Sequence, residues 1–234
     1  AAPRSVAIAP DGRIWVVNRD ASSISIVSPS TPAVVQTVAL PRAAQPFGIV
    51  FSAPANQAFV ALAATGRLLK LNASTGAEMA SLDLGANPRQ LSIDGSSTKV
   101  YVSRFITALQ PGEETAQVAS QIGGVNTGGE TIVVDAANML VLSGVTLRHS
   151  DKPDFENQGR GVPNYLGAPV ISPDGTIALV PSKQDNIGRG TLRSGTNLNF
   201  QNTVRAITSR IDLATGAEDY PRRIDHDNSS VASA

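Results

Sequence analysis

Residues 3–27 read PRSVAIAPDGRIWVVNRDASSISIV and contain three short apolar runs. Val6 and Ile8 alternate with small residues before the turn sequence Pro-Asp-Gly, and the runs at 14–17 and 24–27 are separated by Asn-Arg-Asp. Alternation with a period of two, interrupted by Pro, Asp and Gly, is typical of antiparallel strands joined by tight turns. The Asp-Gly pair supplies a residue that tolerates the positive φ of such a turn. This stretch therefore predicts three antiparallel strands.

The beginning of this stretch recurs along the chain. Segments that start at Pro3, Pro46 and Pro88 align with one another 43 and 42 residues apart, and a fourth copy starts near Tyr165, where APVISPDG (168–175) restates VAIAPDG (6–12). A period of about 42 residues with four short strands is the period of a β-propeller blade. Stacking between blades also explains runs such as IWVV, which are apolar on both faces. An antiparallel sandwich is the alternative, but sandwiches do not repeat a four-stranded unit at fixed spacing.

We therefore predict an all-β fold, a β-propeller of four-stranded antiparallel blades, with about four blades in this single propeller segment. The predicted blades are 3–42, 43–85, 86–150 and 163–224, and 228–234 is interpreted as the start of a further blade. This division suggests part of a longer propeller of the seven-bladed type. Because unpaired strand edges favour pairing with another chain, self-association through open blade edges is also expected.

The repeats resemble a known family. The pattern Pro-x-x-Val-x-Ile-x-Pro-Asp-Gly, the run Trp15-Val16-Val17-Asn18 and the run Tyr101-Val102-Ser103-Arg104 are similar to the YVTN-type propeller repeats of bacterial and archaeal surface and periplasmic proteins. The second copy departs from the pattern with SAPAN at 52–56. The resemblance implies a propeller and a periplasmic or extracellular, cell-surface location, but no single activity. Similar propellers include lactonases, streptogramin lyases and haem- or quinone-dependent oxidoreductases.

Composition excludes several classes of site. Nineteen Lys and Arg balance nineteen Asp and Glu, so no net positive charge favours nucleic acid, and no apolar run approaches the roughly 20 residues of a membrane span. The absence of cysteine excludes disulfides, thiolate catalysis and thiolate metal sites. With two histidines in the chain, a His-rich metal site is disfavoured.

Three long segments interrupt the repeats at 105–129, 148–164 and 182–203. They are second-to-third-strand links and a between-blade link, which lie on the same face of a propeller. Long loops on one rim of a rigid scaffold usually carry binding sites. We therefore predict a ligand-binding surface that includes Arg104, His149, Arg160, Asn164, Tyr165, Lys183, Asp185, Asn186, Arg189, Arg193, Asn202 and His226.

The chemistry of these segments leaves alternatives open. Asp151, Asp154 and Glu156 could ligate a hard cation such as Ca²⁺, but the spacing of a calcium loop is missing and a solvated acidic loop is the other reading. His226, flanked by two aspartates, is either a ligand or base or a polar cap on the next blade.

The arginines and lysine of these segments could bind an anionic ligand, because guanidinium groups suit carboxylate and phosphate. In the other interpretation, the loop between 183 and 202 is ordered and its amides satisfy its own backbone.

No nucleophile elbow, phosphate loop or dinucleotide fingerprint occurs, so no catalytic residue and no cofactor is predicted. The leading hypothesis is a non-catalytic scaffold of an extracytoplasmic bacterial protein that binds a protein, glycan or small anionic ligand on the long-loop face. The second is a propeller enzyme, lactonase-like, lyase-like or a cofactor-dependent oxidoreductase, with its site at the channel mouth. The third is a purely structural spacer.

Overall fold

The computed structural model describes residues 2–107, 121–122, 125–126, 128–148, 162–185 and 204–226. These residues form antiparallel strands, with one short 3₁₀ helix at Tyr220–Arg222. The chain divides into two compact units: unit 1 comprises residues 1–103 and 132–143, and unit 2 comprises 104–131 and 144–234. The fold is an all-β propeller of four-stranded antiparallel blades.

Two complete blades lie in unit 1, each with its strands in sequence order. The first consists of β1 (Pro3–Ile8), β2 (Ile14–Asn18), β3 (Ser23–Ser28) and β4 (Ala33–Ala39), and the second of β5 (Pro46–Ser52), β6 (Gln57–Leu62), β7 (Arg67–Asn72) and β8 (Glu78–Asp83). The turn between the first two strands is one residue longer in the second blade, since Ile8 pairs with Ile14 whereas its repeat equivalent Phe51 pairs with Ala58. Each blade is thus a meander built from one repeat.

The core of unit 1 explains why these strands are apolar on both faces. Trp15 is fully buried between the first and second blades, where its ring meets Phe51 edge to face at 5.3 Å between centroids. Alternate residues of β6 point in opposite directions, so Val60 packs toward the first blade and Phe59 toward β9 and β10. The second blade is therefore covered on both sides, as its sequence predicts.

The third sheet contains β9 (Pro88–Ile93), β10 (Lys99–Arg104), β13 (Gly128–Asp135) and β14 (Leu140–Arg148), in the order β14-β13-β10-β9. The boundary between the two units falls within β10, β13 and β14. A two-stranded hairpin, β11 (Gln121–Ile122) and β12 (Val125–Asn126), lies in the segment between β10 and β13.

The fourth sheet lies in unit 2 and is centred on two nine-residue strands, β17 (Ile177–Asp185) and β18 (Val204–Asp212). The short strands β15 (Val162–Asn164) and β16 (Val170–Ile171) both pair with β17, and β19 (Ala217–Glu218) and β20 (Ile224–Asp225) pair with β18. The expected link at 182–203 therefore begins too early, because residues 182–185 continue β17 and pair with β18.

Aspartate and asparagine side chains close the short turns. After β7, Asn72 Oδ1 accepts the N–H groups of Ser74 and Thr75 at 2.9 and 3.0 Å, and after β18 Asp212 Oδ1 accepts those of Ala214 and Thr215, both at 2.9 Å. The hydrogen bond from the Thr215 backbone is the main cause that lowers the pKa of Asp212 below its ordinary value. The same geometry is thus built once with a neutral amide and once with a carboxylate.

Among the residues that the structure describes, no helix is long and apolar enough to cross a membrane.

Candidate functional site

The long segments attach to the fourth sheet at one edge, which is formed by the ends of its strands and not by an outer strand. In the strand registers Val162 lies opposite Asp185, and Asp185 lies opposite Val204, so the starts of β15 and β18 flank the end of β17. The segments 149–161 and 186–203 join the sheet at these three residues. Side chains near this edge are therefore positioned by a rigid sheet beside the long segments, an arrangement that suits a binding site.

A hydrogen-bonded chain links β10, β13 and β15 at this edge of unit 2. Arg104 Nε donates to Glu130 Oε2 in a partly buried ion pair, and the Glu130 backbone N–H donates to Thr107 Oγ1 at 2.9 Å. Thr107 N–H in turn donates to Oδ1 of Asn164 at 3.3 Å. Asn164 is buried, so its amide acts as a fixed connector between strands.

Gly144 on β14 leaves the space that the Glu130 carboxylate occupies. A Cβ at this position would lie 2.7 Å from Glu130 Oε1, closer than side chains normally approach. The carboxylate is consequently held between a glycine and the Arg104 guanidinium. A partly buried ion pair of this kind is more fixed than a fully exposed one.

Tyr165 follows β15 and carries a left-handed backbone, with φ of 53°. Its ring meets Phe105 edge to face at 4.8 Å, and the Lys183 ammonium lies 5.0 Å from its centroid. A cation over an aromatic face is attracted by the ring quadrupole. We call the set of Arg104, Glu130, Asn164, Tyr165 and Lys183 the Lys183 surface.

The Lys183 surface carries a positive charge on balance. Arg104 is paired with Glu130, whereas exposed Lys183 forms no ion pair within the described ranges and contacts the Tyr165 ring. An ammonium group at the surface with three donors is available to an anion. The arrangement can therefore bind a negatively charged group; among the described residues it shows no nucleophile with an adjacent base.

The structure thus brings together four residues of the predicted surface, Arg104, Asn164, Tyr165 and Lys183. The backbone of Asp185 is next to them at the end of β17. His226 follows β20, and its Nε2 lies 2.9 Å from Thr208 Oγ1 on β18. The remaining predicted positions lie outside the described residues: His149, Arg160, Asn186, Arg189, Arg193, Asn202, and the proposed cation ligands Asp151, Asp154 and Glu156.

Glu130, Thr107 and Phe105 were not predicted from the sequence. Arg104 ends the second strand of its repeat and Glu130 lies near the start of the third, so opposite charges near facing strand ends were a usable signal for the pair. No comparable signal marks Thr107 or Phe105, because their partners Asn164 and Tyr165 lie more than fifty residues away in sequence.

Within the described part of the chain, no group of three or more His, Asp or Glu side chains is placed to hold a metal ion. The proposed Ca²⁺ ligands at 151–156 are not among these residues.

Comparison with known proteins supports the fold. Hydrazine synthase from Kuenenia stuttgartiensis superimposes with a TM-score of 0.64 at 16% identity, over 96% of this chain and 49% of that one. A candidate 6-phosphogluconolactonase from Bacteroides fragilis gives 0.56 at 14% identity, over 95% and 55%. A second candidate from Bacteroides uniformis gives 0.54 at 11% identity, with the same coverage.

The chain therefore spans about half the length of these structures, and at such identities the likeness shows the fold alone. No protein-family model and no curated protein matches the chain.

Proposed function

We propose that this propeller is a non-catalytic binding scaffold whose Lys183 surface takes an anionic ligand. The observation that carries the proposal is the exposed Lys183 ammonium, which is held over the Tyr165 ring and is not neutralised by a carboxylate within the described ranges. The rigid support of this cation by β17 distinguishes it from a lysine on a loose surface loop.

The charge around the Lys183 surface supports the choice of an anion. The Arg104–Glu130 pair is internally balanced, so an approaching anion meets the charge of Lys183 without repulsion from an unpaired carboxylate in the described part of this surface. Arg160, Arg189 and Arg193 belong to the segments that attach at this edge and would add guanidinium donors.

The class of protein is part of the same proposal. The YVTN-like motifs in the first and third repeats support a bacterial extracytoplasmic propeller, located in the periplasm or at the cell surface, which binds a protein, a glycan or a small anion. This assignment depends on the sequence pattern.

Binding of dextran sulfate, with uncharged dextran as the reference polymer, tests the proposed anion site. We expect salt-sensitive binding of dextran sulfate alone, measured by biolayer interferometry, and weaker binding by Lys183→Gln. The matched control is Lys99→Gln, which removes another exposed lysine, at the start of β10. Equal binding of both polymers, no binding, or equal losses in the two variants would each reject the proposal.

A propeller enzyme is the alternative. It is favoured by the folds of the similar structures, since one is a hydrazine synthase and two are candidate lactonases. Stoichiometric calcium or a transition metal, found by mass spectrometry in protein purified without chelator, would support this alternative and a metal role for residues 151–156.

We also propose that the first blade associates with a second copy of the chain. Val6 on β1 is 66% exposed, whereas its repeat equivalents Ile49 and Leu91 are 8% and 5% exposed because a preceding blade covers them. Ile8 is likewise exposed, while its equivalent Phe51 packs against Trp15. The surface around Val6 thus carries apolar residues at positions that a neighbouring blade covers in the second and third repeats.

A further inference from the structure

The fourth sheet has one covered face and one open face. In the pairing of β17 with β18, Ala178 lies opposite Ile211 and both are fully buried, so this face is covered. The neighbouring positions point to the other face, where Leu179 lies between Val170 of β16 and Arg210 of β18. Val170 is 61% exposed, and the side chain of Arg210 is 29% exposed. We call the surface formed by Val170, Leu179 and Arg210 the Val170 face.

The strand registers identify the equivalents of the Val170 face in unit 1. Each of the first two blades has three residues at the same register positions, side by side across its first three strands: Ala7, Trp15 and Ile26 in the first blade, and Val50, Phe59 and Lys70 in the second. Trp15, Ile26 and Phe59 are fully buried, because the following blade in unit 1 covers them. The Val170 face therefore corresponds to the side of a blade that packs against the following blade.

The first blade is open on the opposite side. Val6 and Ile8 on β1 are 66% and 72% exposed. Their equivalents in the second blade, Ile49 and Phe51, pack in the core shared with the first blade, where Phe51 meets Trp15. The exposed surfaces of the first blade and of the fourth sheet are thus the two sides of the contact that joins successive blades in unit 1.

The contact between successive blades also contains a cation that binds two main-chain carbonyl groups. Lys70 of the second blade is 6% exposed, and its Nζ donates to the carbonyl oxygens of Ala136 and Ala137 at 3.0 and 2.7 Å. These two acceptors directly follow β13, the third strand of the next sheet. Arg210 occupies the register position of Lys70 in the fourth sheet, so the Val170 face carries a cation at the same place.

The two carbonyl acceptors recur in the other contact between blades of unit 1. Arg13 Nη2 in the first blade donates to the carbonyl oxygens of Ala73 and Ser74 at 3.3 and 2.6 Å. These acceptors directly follow β7, the third strand of the second blade. The corresponding residues after β3 in the first blade are Pro29 and Ser30, and both are exposed. The open side of the first blade therefore includes the acceptors that a cation of a neighbouring blade would bind.

We propose that the Val170 face of one copy of the chain packs on the open side of the first blade of a second copy. This proposal rests on the self-association proposed above and names the surface that the first blade meets. The apolar residues of the two surfaces cover one another, and Arg210 donates to the carbonyl oxygens of Pro29 and Ser30. An arginine has five N–H donors, so the ion pair of Arg210 Nε with Asp219 at 3.3 Å is compatible with this contact. Because two different surfaces meet, the contact is heterologous.

Light scattering across a concentration series tests the Val170 face. Val170→Asp is expected to raise the dissociation constant by about tenfold or more, because it places an unpaired carboxylate in an apolar contact. The matched control is Val141→Asp on β14, which changes a valine that is 50% exposed and belongs to neither surface. If Val6→Asp weakens association and Val170→Asp does not, this proposal is wrong and the self-association of the first blade stands. A wild-type chain that remains monomeric would reject both.

A mixture of two variants distinguishes the heterologous contact from a symmetric pairing of two first blades. Chains with Val6→Asp retain an intact Val170 face, and chains with Val170→Asp retain an intact first blade. A heterologous contact needs one intact surface from each chain, so an equimolar mixture should form dimers that neither variant forms alone at the same total concentration. Absence of this recovery would overturn the proposal.

Substitutions of Arg210 test the cation. We expect Arg210→Gln to weaken association by about tenfold or more, as for the loss of hydrogen bonds from a charged group. Arg210→Lys should associate like the wild type, because Lys70 makes the same contact in unit 1. Arg222→Gln is the matched control, since it removes another ion-pair partner of Asp219 and lies outside the Val170 face. Equal losses in Arg210→Gln and Arg222→Gln, or a loss in Arg210→Lys, would overturn this role of Arg210.

Discussion

Replacing Gly48 with alanine is expected to lower the free energy of unfolding, because β5 and β9 approach closely at this residue. A Cβ on Gly48 would lie 2.6 Å from the Arg89 carbonyl oxygen and 3.1 Å from the Leu91 nitrogen. Ordinary van der Waals contact begins at 3.4 Å, so the backbones must separate by several tenths of an ångström. Both opposing atoms belong to a strand backbone, which cannot rotate away as a side chain would.

The expected loss is about 1–3 kcal/mol, the usual range for an overpacked core position. If the free energy of unfolding falls by about 2 kcal/mol per molar urea, the urea concentration at the unfolding midpoint should fall by about 0.5–1.5 M. The single tryptophan, Trp15, is fully buried in the core of the same unit, so its fluorescence reports this transition.

Gly95→Ala is the matched control for this prediction. Gly95 has open space around its Cβ position and no positive φ, so the added methyl group should not strain the folded state. It should be neutral or should stabilise the protein by up to about 1 kcal/mol, because alanine lowers the conformational entropy of the unfolded chain. If Gly48→Ala and Gly95→Ala unfold at the same urea concentration, the conclusion that β5 and β9 are too close to admit a side chain at residue 48 is wrong.

Two further predictions concern the turns and the first blade. Asp212→Asn should unfold near the wild-type midpoint at pH 7, because Asn72 makes the equivalent bonds, and should lose less stability on acidification. The lowered pKa of Asp212 stabilises the folded state at pH values above about 3.9, which is the pKa of this group in the unfolded chain, and this stabilisation is lost as the pH falls through the lower pKa of the folded state. Urea midpoints that fall equally in both proteins between pH 7 and pH 3 would contradict this reasoning. Val6→Asp should reduce self-association in light scattering across a concentration series, whereas Val34→Asp, at another exposed valine on β4, should not; a wild-type chain that remains monomeric throughout would reject the interface.

Much of the fold was predictable from the sequence because a blade is a local structure. Its strands are neighbours along the chain, so alternation and turn residues define them directly, as at Asp11-Gly12 and Asp174-Gly175. The repeat of Pro3, Pro46 and Pro88 then specifies the propeller, since each copy needs a neighbour to cover its apolar face. Strand lengths were less predictable: β17 continues through polar residues to Asp185, because pairing with β18 satisfies their backbone groups.

The candidate sites depend on contacts between residues far apart in sequence. The sequence identified Arg104, Asn164, Tyr165 and Lys183 as members of long-segment regions, but neither the bond from Thr107 to Asn164 nor the stacking of Lys183 on Tyr165 can be derived from spacing. The ion pair of Glu218 with Arg223 and the stacking of Arg148 and Arg223 on the Tyr220 ring were not predicted, because these residues carry no motif.

The sequence by itself therefore determined the blade, the repeat and the chemistry of the turns, because alternation and turn residues act over a few positions. The tertiary structure alone decided which charges are paired and which remain available. Glu130 neutralises Arg104 and Glu218 neutralises Arg223, whereas exposed Lys183 lies over the Tyr165 ring and forms no ion pair within the described ranges. The physical reason is that charge pairing depends on distances of a few ångströms between strands, which the order of residues along the chain does not specify.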